Sequence, residues 1–149
     1  MRNISSGRVL LCLLMISGLT SGRVVADGNE VLSNNEELAE VSLAFDLQPI
    51  FDTYCVQCHL LESAQGGLVL ENGEAWANLV NADSTQAVLK RVDPGTPAES
   101  YLLHKLRGTH IKAGGSGQPM PYGSEASAGI SASSVELVER WISEGAADN

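Results

Sequence analysis

The chain has 149 residues, the length of one domain, with 18 acidic against 9 basic residues and a formal net charge of −9 at pH 7. That balance disfavours nucleic acid as a partner, because phosphate binding needs a basic surface. Any charged partner is expected to present a basic face.

Residues 1–26 read as a signal peptide. Arg2 and Arg8 form a basic n-region, residues 9–19 an apolar h-region, and Val24-Val25-Ala26 a short-residue cleavage site. The apolar run between Arg8 and Arg23 falls short of the ~20 residues that span a bilayer, so no stable membrane insertion is expected after cleavage. An uncleaved anchor is the competing reading. Cys12 has leucines on both sides rather than a small residue, a poor context for lipidation. Cleavage would remove Arg2, Arg8 and Arg23, leaving six basic residues against 18 acidic ones, a formal charge of −12. It would also leave only Cys55 and Cys58 of the three cysteines. The expected location is therefore exported or periplasmic, with no thiol pair spare for a structural disulfide.

Residues 27–41 are polar and acidic and read as a flexible lead-in, and the folded domain is expected over 42–147. Phe45, Ile50, Phe51 and Tyr54 mark a first apolar face, and Pro49 suits the first turn of a helix. That helix should run into Cys55-Val56-Gln57-Cys58-His59. Thiols at i and i+3 share one face of a helical turn, and this pentapeptide has the spacing of c-type haem attachment. Both sulfurs would form thioethers with the haem vinyls, and His59 would bind the iron. A redox dithiol and half of a zinc site compete with this reading. Tetrahedral zinc needs four ligands, and there is no second Cys pair. The surroundings also lack a βαβ pattern. The two Phe, three Tyr and two Trp of the chain suit a core completed by a macrocycle.

Gly66-Gly67-Leu68-Val69-Leu70 reads as a turn and a short extended piece. Residues 74–81 have helical spacing in Trp76, Leu79 and Val80. Residues 86–92 fit either a short helix or an extended segment. Val92-Asp93-Pro94-Gly95-Thr96-Pro97 is a turn signal, and residues 98–106 a helix. Residues 108–129, rich in Gly, Ser and Pro, form a long loop, a feature that is usually functional in a compact domain. The last helix should start with a Ser133/Glu136 capping box, bury Val135, Val138, Trp141 and Ile142, and stop at Gly145.

Beyond the signal segment Met120 is the only methionine. Bracketed by Pro119 and Pro121, it is the leading candidate for the sixth iron ligand, given the Met/His pairs of cytochromes c. His110 is the better histidine substitute, His104 the weaker, and an open sixth position stays possible. Arg91, Lys105, Arg107 and Lys112 are candidate partners of haem propionates, or else solvated surface charges. The Pro94 turn offers a carbonyl for the free ring N–H of His59, or is a plain turn.

Taken in order, Pro49-Ile50-Phe51, the Cys55–His59 pentapeptide, Gly66-Gly67-Leu68, the 92–97 turn with Ser100 and Leu102, Met120-Pro121-Tyr122-Gly123 and Trp141-Ile142-Ser143-Glu144-Gly145-Ala146 form a series. The chain resembles the planctomycete-type cytochrome c domain, a branch of the class I cytochromes c, over residues 47–146. The resemblance implies a mostly α, class I cytochrome c-like fold around one covalently bound haem c, with its first and last helices crossing. It implies Cys55 and Cys58 as attachment points and His59 and Met120 as axial ligands.

The function expected is one-electron transfer between periplasmic redox partners rather than enzymatic turnover. No Ser/His/Asp constellation, phosphate loop or recognisable carboxylate pair is present. The alternatives are a haem enzyme or gas sensor with an open or displaceable sixth position, and a haem-bearing accessory subunit of a larger oxidoreductase.

Overall fold

A computed structural model describes residues 39–123 and 129–149, which belong to one unit, Glu37–Asn149. The expected signal peptide and most of the acidic lead-in lie outside the described residues, as does the part of the long loop over 124–128. Four α-helices carry the fold: α1 (Gln48–Tyr54), α2 (Ala75–Leu79), α3 (Tyr101–Leu106) and α4 (Ala132–Ser143). A π-helical turn, Leu43–Leu47, runs straight into α1, and short 3-10 turns sit at Leu61–Ser63, Gln65–Gly67 and Pro97–Glu99. Isolated bridges are the only β pairing among the described residues, so the class is α. Within them no helix is long and apolar enough to cross a membrane.

The first helical stretch forms because Leu43, Leu47 and Phe51 recur at i, i+4 and i+8, and all three are buried. Ser42 caps it by accepting the N–H of Phe45 at 3.2 Å, and Pro49 stands in the first turn of α1. The start of this stretch is tied to the end of the chain. Asn149 accepts the N–H of Ala44 through its backbone at 2.9 Å and that of Leu43 through its side chain at 2.9 Å. Glu144 accepts the N–H of Val41 at 2.8 Å, and Arg140 reaches the carbonyl of Ala39. The folded unit therefore extends beyond 42–147 at both ends, and Val41 is a core residue at 2 % exposure.

Helix α4 begins two residues earlier than the sequence pattern suggests. Its cap is Ser131, whose hydroxyl accepts the N–H of Ser134 at 3.0 Å, so Ser133 lies inside the helix and the expected Ser133/Glu136 box does not cap it. Of the expected apolar face, Val138, Trp141 and Ile142 are fully buried, the valine and isoleucine each worth roughly 1.5–3 kcal/mol, whereas Val135, in the first turn, is only half-buried and packs at the edge of the core. The three buried residues join Leu47, Phe51, Leu70, Leu79, Val92 and Leu103 in one core cluster. Gly145 ends the helix at φ +106°, where a glycine is cheapest. Beyond it the indole N–H of Trp141 donates to Ala147 at 2.9 Å and that of Trp76 to Ala146 at 2.8 Å.

The middle of the chain is less regular. Residues 90–92 are extended, with Val92 bridged to Val80 and Lys90 to Asp83 and Ser100. Tyr101 and Leu102 donate their N–H groups to Lys90 and Arg91, both at 2.9 Å, which lays this segment along the start of α3. The expected helix over 98–106 is broken at Ser100. Its fully buried hydroxyl accepts the N–H of Asp93 at 2.9 Å and contacts the carbonyl of Thr96 at 3.1 Å, holding the 92–97 turn closed. A side chain that bonds to nearby backbone competes with helix continuation.

Candidate functional site

Helix α1 delivers the Cys–Cys–His motif. It ends at Tyr54, where the N–H of Cys55 still donates to Phe51 at 2.8 Å. Tight turns then follow: Cys58 and His59 both donate to the Cys55 carbonyl at 3.1 Å. This winding keeps the two cysteines one turn apart. Cys55 is half-buried and Cys58 exposed, and both are free thiols. Burial, and secondly the neighbouring Cys58, push the Cys55 thiol up to about 11.

His59 is held from two sides by the segment that follows the glycines. Its carbonyl accepts the N–H of Leu70 at 2.9 Å, and its Nδ1 lies 3.2 Å from the carbonyl of Leu68. A carbonyl only accepts, so a neutral ring in this pair carries its proton on Nδ1 and keeps a free lone pair on Nε2. That is the tautomer a metal ligand needs. Burial holds the His59 imidazole below its ordinary value. The Leu68 and Gln65 carbonyls oppose that shift, and the Arg91 charge adds to it.

The carbonyl beside this ring is that of Leu68, not one of the Pro94 turn, whose alternative reading as a plain turn fits better. Gly95 donates to the carbonyl of Ile142 at 2.7 Å, docking that turn on the end of α4. Leu68 takes the role because Gly66 and Gly67, both at φ +66°, fold the chain back beside the motif. Arg91 secures this reversal, its guanidinium donating to Gly66 at 3.1 Å, Gly67 at 2.9 Å and Asn78 at 2.9 Å.

Met120 lies on the loop after α3, and the Gly/Ser run before it is closely pinned. The buried Lys105 ammonium donates to the carbonyls of Ser116 and Gln118, both at 2.9 Å, and stands over the Tyr101 ring at 5.4 Å from its centroid. The Tyr101 hydroxyl lies 3.0 Å from the carbonyl of Ser116, and the Ser116 N–H donates back to it at 3.2 Å. Gly115 has to be glycine: a Cβ there would collide with the hydroxyl and ring of the buried Tyr101. Met120 itself is half-buried, and its N–H donates to Lys105 at 3.0 Å.

The two histidine substitutes are tied into this same region. His104 has both ring nitrogens engaged, Nδ1 with Thr109 at 2.9 Å and Nε2 with Ala98 at 3.0 Å. His110 is buried at 3 % exposure. Its Nε2 donates to Gly117 at 3.0 Å, and its Nδ1 has no hydrogen-bond partner among the described residues. Of the propionate candidates, Arg91 and Lys105 are committed to backbone carbonyls, Arg107 pairs with Glu139 at 2.6 Å, and Lys112 is exposed.

No family model, curated protein or solved structure matches the chain. The site therefore rests on its own chemistry. Among the described residues no three His, Cys, Asp or Glu side chains gather as a metal cluster. Cys55, Cys58 and His59 come together at the end of α1, while Met120 stands on a separate loop with no hydrogen bond to them among the described residues. Their chemistry is that of the residues a c-type haem uses. Two thiols one turn apart suit thioether attachment, a Nδ1-protonated His59 suits axial ligation, and Met120 offers a soft sulfur. The sequence reading missed the Leu68 carbonyl and the clamping roles of Arg91 and Lys105. The adjacent Gly66-Gly67 was the available signal for the first.

Proposed function

We propose that the chain is an exported mono-haem c-type cytochrome that carries single electrons between redox partners and transforms no substrate of its own. The observation that carries this reading is the His59–Leu68 pair at 3.2 Å beside two free thiols at i and i+3. Cys55 and Cys58 supply the sulfurs for covalent attachment. His59 supplies Nε2 as the proximal ligand, its ring orientation held by Leu68. Met120 supplies the sixth ligand from its pinned loop. A haem c held there supplies a one-electron ferric/ferrous couple whose potential a His/Met pair raises. The all-helical fold, with its first helical stretch and α4 in one core, supports a class I cytochrome c-like architecture. The acidic balance favours redox partners with a basic docking face, and the composition of residues 1–26 supports export.

The test is the optical spectrum of the protein matured with a periplasmic haem-attachment system. Reversible oxidation and reduction, with resistance to carbon monoxide and cyanide, is the result expected of an electron carrier. Rapid stoichiometric binding of either ligand would favour an open sixth position and thus an enzyme or sensor.

A further inference from the structure

Arg91 gathers carbonyls from two separate stretches of chain. Its Nη1 donates to Asn78, within the last turn of α2, at 2.9 Å, while its Nη2 takes Gly66 at 3.1 Å and Gly67 at 2.9 Å. The planar fork of a guanidinium suits such a multiple grip, which a lysine ammonium on a flexible stem does not reproduce. Arg91 is itself fixed at both ends of its backbone: its N–H donates to Ala82 at 2.8 Å and its carbonyl accepts from Leu102 at 2.9 Å. No carboxylate pairs with it among the described residues. Within the described residues this cation serves backbone carbonyls rather than an acidic side chain.

The residue after the two captured glycines is Leu68, whose carbonyl meets His59 Nδ1 at 3.2 Å. Both glycines stand at φ +66°, in the left-handed region where the chain reverses. Thr85 is the other side chain on this turn, through Gly66 at 3.2 Å. The position of the Leu68 carbonyl therefore depends on a reversal that Arg91 fastens to the centre of the fold. We infer that Arg91 is a positioning residue for His59, setting through the Gly66–Gly67 turn the carbonyl that fixes the orientation of the ring. The inference rests on the proposed role of His59 as an iron ligand.

The test compares Arg91→Gln and Arg91→Lys with the wild type, all haem-loaded. Two NMR readouts are used: solvent exchange of the His59 Nδ1 proton in the ferrous state, and the pattern of haem methyl shifts in the ferric state, which reports the orientation of the axial ring. Arg91→Gln is expected to speed the exchange by about tenfold, the effect of losing one hydrogen bond, and to change the methyl pattern. Arg91→Lys should fall between it and the wild type, and decides the matter alone if Arg91→Gln fails to fold. A variant that melts earlier yet keeps wild-type exchange and methyl shifts would reduce Arg91 to a structural staple and overturn the inference. A wild type without covalent haem would overturn the function and this inference together, a result distinct from the first.

Discussion

Met120 donates its backbone N–H to the carbonyl of Lys105 at 3.0 Å, at the base of a loop that the Lys105 ammonium also holds by Ser116 and Gln118. One residue thus anchors the candidate sixth ligand through its backbone and the preceding glycine run through its side chain. Lys105→Met keeps the stem and removes both charged hydrogen bonds. It should cost about 3–6 kcal/mol in urea unfolding, as expected for two bonds from a charged donor, and should speed amide exchange over residues 114–120. Unchanged exchange there would show that Tyr101 and His110 hold the loop without it.

Met120→Ala should abolish the sulfur-to-iron charge-transfer band of the ferric protein and lower its reduction potential, because a soft sulfur ligand favours ferrous iron. Met120→His keeps a sixth ligand while replacing sulfur with nitrogen, and should also lower the potential. Both are read by optical spectroscopy and voltammetry. If Met120→Ala retains band and potential, Met120 is only a loop residue. His110 would then lead, since its Nδ1 has no partner among the described residues whereas both nitrogens of His104 are engaged.

The two cysteines differ before attachment. A Cys55 thiol pushed from 9.0 to about 11 is almost wholly protonated at pH 8, and the thiolate is the reacting form. In the haem-free chain, iodoacetamide should therefore modify Cys55 up to about a hundredfold more slowly than in urea. The exposed Cys58 should react first. Raising the pH through 11 should speed labelling of Cys55, because the thiol then ionises to the reactive thiolate in spite of its burial. Mass spectrometry of the labelled peptides reads both rates, and equal rates in folded and unfolded chains would contradict the burial of Cys55.

Charge governs the encounter with partners. With 18 acidic against 9 basic residues, electron transfer to a cationic acceptor should slow as salt rises and screens the attraction. An anionic acceptor should show the opposite trend in stopped-flow experiments. Matching salt slopes for the two would remove the electrostatic argument for a basic partner.

Features that depend on local pattern were legible in the chain. Pro49 marked the first turn of α1, and the spacing of Val138, Trp141 and Ile142 marked the buried face of α4. Features set by distant backbone were not. Arg91 and Lys105 looked like surface or propionate-binding cations, and no sequence pattern names the carbonyls of Gly67 or Gln118 as their partners. Ser100 sits inside a helical pattern, yet its hydroxyl is drawn to the 92–97 turn and the helix restarts after it. Val41 read as part of an acidic lead-in because its burial depends on Glu144, far along the chain. The cap of α4 was misplaced for a simpler reason. Ser131 has the same side chain as Ser133 and stands at an extended φ/ψ, accepting the N–H of Ser134, so the helix starts two residues earlier.

The measurement that bears most directly on the central claim is the intact mass of the chain purified from a host with a periplasmic haem-attachment system, followed by peptide mapping. The account predicts the mass of the chain plus one haem, retained through denaturation and located on the peptide holding Cys55 and Cys58, with Cys55→Ala together with Cys58→Ala carrying none. A wild-type chain without the adduct under conditions that load a control cytochrome c, its two thiols still free to alkylate in urea, would contradict it.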